Sequence, residues 1–317
     1  MSRAPTTLRT IDDLPRGLRY ALAIGVFDGV HRGHQRVIRQ LLAAARRRSA
    51  TPVVLTFDPH PSAVLRAEAP PLLCDPLERV ALLGALGAET VVLQRFDAAF
   101  ADQAPEDFLD RVATGRELVA LVMTPESAFG RDRVGTIQAV ARVVPRLGCA
   151  LVEVDQLEVS GSVVSSTRLR GLLAEGRLAE AKRLIGRPYA VIGNVVRGDQ
   201  RGRDLGYPTA NLAFDQPVAL PSDGIYAVRA SWGGSDPLNP SRRASGVASL
   251  GVRPTFEGGG ARILEVHLFD LDEDLYGERL RVEFVRRLRA EKRFTSAAAL
   301  VRQMDRDAAR ARAVLRG

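Results

Sequence analysis

The chain has 317 residues, 46% hydrophobic and 26% charged, which predicts about two globular domains and excludes disorder as its overall state. No apolar run approaches the roughly 18 residues that span a bilayer, and the first residues lack the apolar stretch of a secretory signal. The net charge of +8 suits polyanionic partners such as nucleotides, and equally nucleic acid or a membrane surface.

Two cysteines, Cys74 and Cys149, are too few for a disulfide framework or a four-cysteine zinc site, so a reducing cytoplasm is the expected compartment. The only lysines are Lys182 and Lys292, and each is followed by arginine. A Walker A loop needs Gly-Lys-Ser/Thr, so P-loop chemistry is excluded.

In chain order, residues 20–27 (YALAIGVF) read as a buried strand. Residues 34–48 read as a helix with Val37, Ile38, Leu41, Leu42 and Ala45 on one face. A strand at 52–57 follows, then a helix at 76–86 with Gly87 as its C-cap. Strands at 90–93 and 118–123 flank a helix at 105–112. A helix at 135–147 leads to a fifth strand at 150–154. This alternation predicts βαβ units on a parallel sheet, whose ligands bind beyond the carboxyl ends of the strands. Two helices, 166–174 and 178–185, precede Gly186-Arg187-Pro188, where the pattern changes. Strand-like runs at 189–196, 224–232, 246–252, 263–270 and 279–288 then follow with no long helix between them. They predict an antiparallel β domain, a small barrel rather than a sandwich. Residues 232–243 read as a surface loop, and 296–315 as one amphipathic helix. The domains are therefore 1–185 and 186–317.

Three of the four histidines, His31, His34 and His60, lie in short Gly/Pro-punctuated segments, and His267 lies in LEVHLF. GVFDGVHRGH (25–34) joins the end of a strand to the start of a helix. Gly29 and Gly33 let backbone approach a ligand closely, and the opening turn of the helix offers free N–H groups to a phosphate. His31 and His34 are three apart and can face one anion. A capped turn with surface histidines and a zinc pair are the other readings of this string. TFDPHP (56–61) carries His60. VSSTRLR (164–170) places hydroxyls and a guanidinium at a helix start, and equally fits a capped helix with exposed arginines. In GNVVRGDQRGRDLGYPTAN (193–211), glycines at 198, 202 and 206 fit a flap over phosphates or a mobile hairpin. Pro208 sets a turn, and Thr209 and Asn211 offer oxygen ligands to a hard cation. Along LEVHLFD, Leu264, Val266 and Leu268 face one side and Glu265 and His267 the other, so Glu265 is either half-exposed or a base.

These motifs together resemble the bacterial bifunctional riboflavin kinase/FMN adenylyltransferase (FAD synthetase) family, over nearly the whole chain. GVFDGVHRGH is similar to the nucleotidylyltransferase signature at Gly25, Phe27, Asp28, Gly29, His31, Gly33 and His34. TFDPHP, VSSTRLR, PTAN, GVRPTF (251–256), LYGERL (275–280) and LRAEKRF (288–294) resemble further family blocks. TPESAFG (124–130) departs from the family's GxDFRFG, keeping only Phe129 and Gly130. The resemblance implies a Rossmann-like nucleotidylyltransferase domain with a parallel sheet, then a flavokinase-like antiparallel barrel with a terminal helix.

It further implies ATP-dependent conversion of riboflavin to FMN and of FMN to FAD. Glu265 would be the kinase base. Thr209 and Asn211 would serve Mg2+ and ATP, and Gly198, Gly202 and Pro208 would lie at the phosphates. His31, His34 and Arg168 would stabilise charge in adenylyl transfer beside Ser165, Ser166 and Thr167. Phe57, Pro59, His60, Phe129 and Arg289 would lie toward flavin. The expected partners are riboflavin, FMN and ATP, with no nucleic acid, membrane or obligate protein partner. Three rivals remain: a kinase with an inactive first domain, another nucleotidylyltransferase, and a nucleic-acid-binding or regulatory protein. The last calls for aromatics interleaved in a basic patch, and aromatics are only 5% of this chain.

Overall fold

The computed structural model describes residues 4–198, 206–252 and 262–316. By contacts the chain divides into two compact units, Met1–Pro70 with Pro76–Ser165, and Pro71–Asp75 with Ser166–Gly317.

The first unit is built on a six-stranded sheet. Its strands are β1 (Thr6–Leu8), β2 (Arg19–Ile24), β3 (Thr51–Asp58), β4 (Thr90–Arg95), β5 (Glu117–Met123) and, after two short strands, β8 (Ala150–Glu153). They lie in the order β1-β4-β3-β2-β5-β8 and every pair is parallel. The central strands are buried almost residue for residue, as a parallel sheet covered on both faces requires. The connecting helices are α1 (Arg32–Arg47), α2 (Pro61–Leu65), α3 (Pro76–Ala85), α4 (Ala98–Ala101), α5 (Pro105–Ala113) and α6 (Ile137–Val143). Helix α1 buries Val37, Ile38, Leu41, Ala44 and Ala45, the apolar stripe read from the sequence. Gly87, at φ +103°, follows α3.

Two features differ from expectation. Strand β1 has three residues, too short for any periodicity, and pairs only at the sheet edge with β4. The helix expected over 135–147 is divided. The short strand β7 (Gly135–Thr136) pairs with β6 (Ala128–Phe129), α6 follows, and a 3-10 turn covers Val144–Leu147. Pro145 in that turn has no N–H for an α-helical bond.

The second unit contains α7 (Ser166–Ala174), α8 (Leu178–Ile185), β9 (Tyr189–Val196), β10 (Ala210–Ala213), β11 (Gly224–Trp232), β12 (Arg242–Val252), β13 (Arg262–Leu268), β14 (Arg279–Arg289) and α9 (Ala297–Arg316). The strands form a closed barrel in the order β10-β13-β12-β11-β14-β9, antiparallel at each pairing. Closure leaves no sheet edge exposed. Tyr226 and Phe284 meet edge to face inside it, with centroids 5.2 Å apart. Strand β10 leaves no signal in the sequence, because four residues following a turn carry no repeat. Strand β12 starts at Arg242, so the surface loop is shorter than residues 232–243.

The change of sequence pattern at Gly186 coincides with the left-handed cap of α8. The division by contacts falls earlier, and α7 and α8 group with the barrel. Arg170 Nε donates to the Pro71 carbonyl at 2.7 Å, and the Ser222 N–H to that of Leu173 at 3.0 Å.

Candidate active sites

In the first unit the chain leaves β2 through a strained loop. Phe27 and Val30 have φ of 52° and 41°, values unfavourable for residues with a Cβ and costing about 1–3 kcal/mol each. Phe27, Asp28, Val30 and His31 are all buried, and Gly29 also has positive φ. The Gly25 N–H donates to the Leu55 carbonyl at 3.0 Å and prolongs the β2–β3 ladder. His31 is the N-cap of α1, its Nδ1 accepting from the His34 N–H at 3.3 Å. The two imidazoles stack with centroids 3.6 Å apart and planes within 16°. Gly33 makes room for this pair: a Cβ there would lie 3.1 Å from the His31 ring and 3.4 Å from the Val164 carbonyl.

That carbonyl brings the start of the VSSTRLR block to the opening of α1. Ser165 ends the first unit, and Ser166, Thr167 and Arg168 open α7 in the second. His31 and His34 belong to no cluster of three or more His, Cys, Asp or Glu suited to a metal among the described residues.

His34 Nδ1 is buried and makes no hydrogen bond among the described residues. Burial, with His31 and Arg79 nearby, holds this imidazole well below its usual 6.5, so it is neutral at pH 7. As pH falls below 6.5 the unfolded chain takes up a proton that the folded one refuses. Stability is therefore full above 6.5 and declines toward the lower, folded value. The melting temperature of the first unit should fall between about pH 7 and pH 5, and fall less in His34→Gln. Identical pH dependence in the two proteins would remove His34 as the source.

Phe57 is packed in the core, 5.3 Å from Phe96 and 5.8 Å from Phe100. This aromatic series runs on through Phe108 to Phe129 in β6. Pro59 follows a cis peptide, and His60 caps α2, its Nδ1 accepting from the Ser62 N–H at 3.1 Å. In the divergent TPESAFG segment, Ser127 hydrogen-bonds Thr124 through both backbone and hydroxyl. A Cβ at Gly130 would come within 2.8 Å of Pro105, so this segment packs closely on α5.

In the barrel, register assembles the second site. Asn211 on β10 is the partner of Glu265 on β13, and Glu265 is the partner of Ser249 on β12. Residues directly opposite point to one face with Cβ atoms about 4.5–5.5 Å apart. The row continues through Ile225 to Arg289. Leu264, Val266 and Leu268 are buried while Glu265 and His267 are partly exposed, the alternation expected from sequence.

Asn211 is buried beneath Gly198, where a Cβ would lie 2.5 Å from the Asn211 amide. His267 Nδ1 lies 2.9 Å from the Pro208 carbonyl, which can only accept, so His267 donates and steadies the turn carrying Thr209. Tyr207 packs edge to face on His267. Burial and its hydrogen bond to Asp305 push its phenol up to about 12. Arg289 is held by the buried Asp307 of α9, with Nε at 2.8 Å and Nη2 at 2.7 Å. Gly202 and Arg253–Phe256 lie outside the described residues.

Comparison with known proteins follows the same two-part division. The FAD synthetase family matches residues 16–168 and riboflavin kinase matches residues 185–315. A bifunctional riboflavin kinase/FMN adenylyltransferase from Bacillus subtilis is 34% identical over 291 residues, 90% of this chain and 89% of its own length. The chain belongs to the bifunctional riboflavin kinase/FMN adenylyltransferase family. The Escherichia coli K12 member is 35% identical over 293 residues, 92% of this chain and 91% of its own. A crystal structure described as a macrolide-efflux protein from Streptococcus pneumoniae has a TM-score of 0.81 at 29% identity, covering 96% of this chain and 97% of that one. No helix among the described residues is long and apolar enough to cross a membrane.

This bifunctional enzyme phosphorylates riboflavin to FMN and adenylylates FMN to FAD. The match of both modules displaces the one-activity, other-nucleotidylyltransferase and nucleic-acid readings. Sequence reasoning missed two residues at these sites. Ser249 is legible only once the register is known. Arg79 is fully buried, and its spacing from Leu82 and Leu83 on α3 was the available signal: a cation on an apolar stripe.

Proposed function

We propose that residues 1–185 carry adenylyl transfer at the HxGH loop and residues 186–317 carry phosphoryl transfer at the Asn211–Glu265 row. The opposition of Asn211 and Glu265 across β10 and β13 is the observation that carries this division. It sets an amide oxygen and a carboxylate side by side on the barrel's outer face.

In the kinase half, Glu265 takes the proton of the ribityl 5′-hydroxyl of riboflavin. That oxygen attacks the γ-phosphorus of ATP, and ADP leaves. Thr209 at the steadied turn and Asn211 on β10 are neutral oxygen donors, which fits Mg2+, an ion that takes few protein ligands and relies on substrate phosphates for the rest. Bound there with ATP, Mg2+ would neutralise charge on the transferring phosphoryl group. Gly198, packed over the Asn211 amide, would lie at the phosphates, and Pro208 sets the turn. Arg289, engaged by Asp307, orders the segment after β14 against the flavin.

In the adenylyl half, a phosphate oxygen of FMN attacks the α-phosphorus of a second ATP and pyrophosphate leaves. The nucleophile is already anionic, so the protein needs no base. His31 and His34 offer imidazole N–H groups, Arg168 a guanidinium, and Ser165, Ser166 and Thr167 hydroxyl and cap donors to the triphosphate. Gly25, Phe27, Asp28, Gly29 and Gly33 shape the loop that admits it. Phe57, Pro59, His60 and Phe129 form the flavin side.

The enzyme works on these small molecules in the cytoplasm. Both cysteines are free and buried, and burial raises the Cys149 thiol to about 11, which keeps it protonated.

The test is product chromatography. With riboflavin, ATP and Mg2+, FMN appears first and FAD follows. Chelation of divalent ions stops FMN formation, and added Mg2+ restores it. FMN formation that persists under chelation would remove Thr209 and Asn211 from metal binding.

A further inference from the structure

We infer that Arg79 is a positioning residue for adenylyl transfer, a buried guanidinium that ties the ends of β2 and β3 together and holds a permanent positive charge behind the HxGH loop. The inference rests on reading that loop as the triphosphate site.

Arg79 is 2% exposed. Its Nη1 donates to the Val26 carbonyl at 2.9 Å and its Nη2 to the Phe57 carbonyl at 2.7 Å. Val26 lies two residues past β2 and enters the strained loop, and Phe57 is the penultimate residue of β3, just before Pro59 and His60. The Val26 carbonyl also accepts from Thr56 Oγ1 at 2.8 Å, so one carbonyl oxygen gathers both segments. These are the carboxyl ends of adjacent parallel strands, where such sheets bind their ligands.

What needs explaining is the charge. A buried ion costs several kcal/mol unless it is paired. Among the described residues no carboxylate forms an ion pair with Arg79, and its Nε is buried without a hydrogen-bond partner. Two carbonyl dipoles compensate a guanidinium only in part, and a neutral amide would tie one of them at lower cost. A fixed cation at the carboxyl end of the sheet becomes balanced when polyphosphate binds there. A charge placed in advance where negative charge develops is worth most in a water-poor site. The same positive field acts on His34, with His31 and burial, in keeping it neutral. Both Nη groups are committed to backbone, so Arg79 acts through the loop it holds and through its field rather than by touching substrate.

The test compares Arg79→Gln, which is neutral but keeps a donor, with Arg79→Lys, which keeps the charge. Adenylyl transfer from supplied FMN is read as kcat and KM separately, with kinase turnover measured on the same chain. Arg79→Gln should lower adenylyl kcat on the order of 10²-fold with KM for ATP and FMN within about threefold, while the protein stays folded. Arg79→Lys should stay within about fivefold of the parent, and kinase turnover should be unchanged in both.

The inference is overturned if folded Arg79→Gln keeps parental kcat, if Arg79→Lys falls as far as Arg79→Gln, or if kinase turnover falls in parallel. Failure of Arg79→Gln to fold overturns it too, because the charge would then serve the fold. His31→Ala with His34→Ala is run beside them. If that double variant retains adenylyl transfer, the reading of the loop fails. If it loses transfer while Arg79→Gln is unaffected, only the assignment of Arg79 fails.

Discussion

Glu265→Gln lowers FMN formation from riboflavin by about 10²–10⁴-fold and leaves FAD formation from supplied FMN at the parental rate. The substitution keeps the shape of the side chain and its place on the outer face of β13, where the buried residues are its neighbours Leu264 and Val266. The barrel core is therefore undisturbed, and the change is confined to the loss of a proton acceptor. General-base assistance is worth about 10²–10⁴-fold, which sets the size of the fall and leaves a measurable residual rate. KM for ATP should move little, because Asn211 and Thr209 remain. Separating the flavins by chromatography, once from riboflavin and once from FMN, reads both activities on one preparation. If both decline together in a folded protein, the division of labour between the units is wrong. If neither declines, the base lies elsewhere.

The complementary result comes from the histidines. With His31 and His34 both replaced by alanine, FMN accumulates from riboflavin and FAD formation falls by at least about 10²–10³-fold, the usual cost of losing preorganised donors to a developing charge. His31 has a second task, since its Nδ1 caps α1. Loss of an N-cap costs about 0.5–2 kcal/mol, so part of any loss in the alanine variant could come from a loosened helix start. His31→Asn separates the two contributions, because asparagine is itself a strong N-cap residue. That variant should melt close to the parent yet remain impaired in adenylyl transfer. Parental FAD formation in a folded His31→Asn/His34→Ala variant would take the histidines out of the site.

The two fold types and the motifs of the candidate sites were legible in the sequence because their signals are short-range. Buried parallel strands read as apolar runs, α1 as an apolar stripe, and the β13 segment as alternation. The HxGH string, the VSSTRLR cap and PTAN are each contiguous, so their side chains are brought together by local turns. The short strands β1 and β10 were not legible, since three or four residues carry no repeat and long-range pairing alone makes them strands. Helix 135–147 was read as one element because its interruption depends on β6 pairing with β7 and on Pro145.

Tertiary structure decided three things that no local pattern contains. It set the barrel register, in which Asn211, Glu265 and Ser249 become neighbours across three strands. A one-residue slip would turn every side chain of the strand to the other face, so residue identity alone cannot specify the constellation. It grouped α7 and α8 with the barrel through contacts such as the Ser222 N–H to the Leu173 carbonyl, although the change of sequence pattern comes only at Gly186. It also turned Arg79 from one more arginine on an arginine-rich chain into a buried cation held by Val26 and Phe57. Periodicity, capping and contiguous motifs act over a few residues and can be read in order. Register and the environment of a buried charge arise between segments tens of residues apart, and only the folded chain brings those segments together.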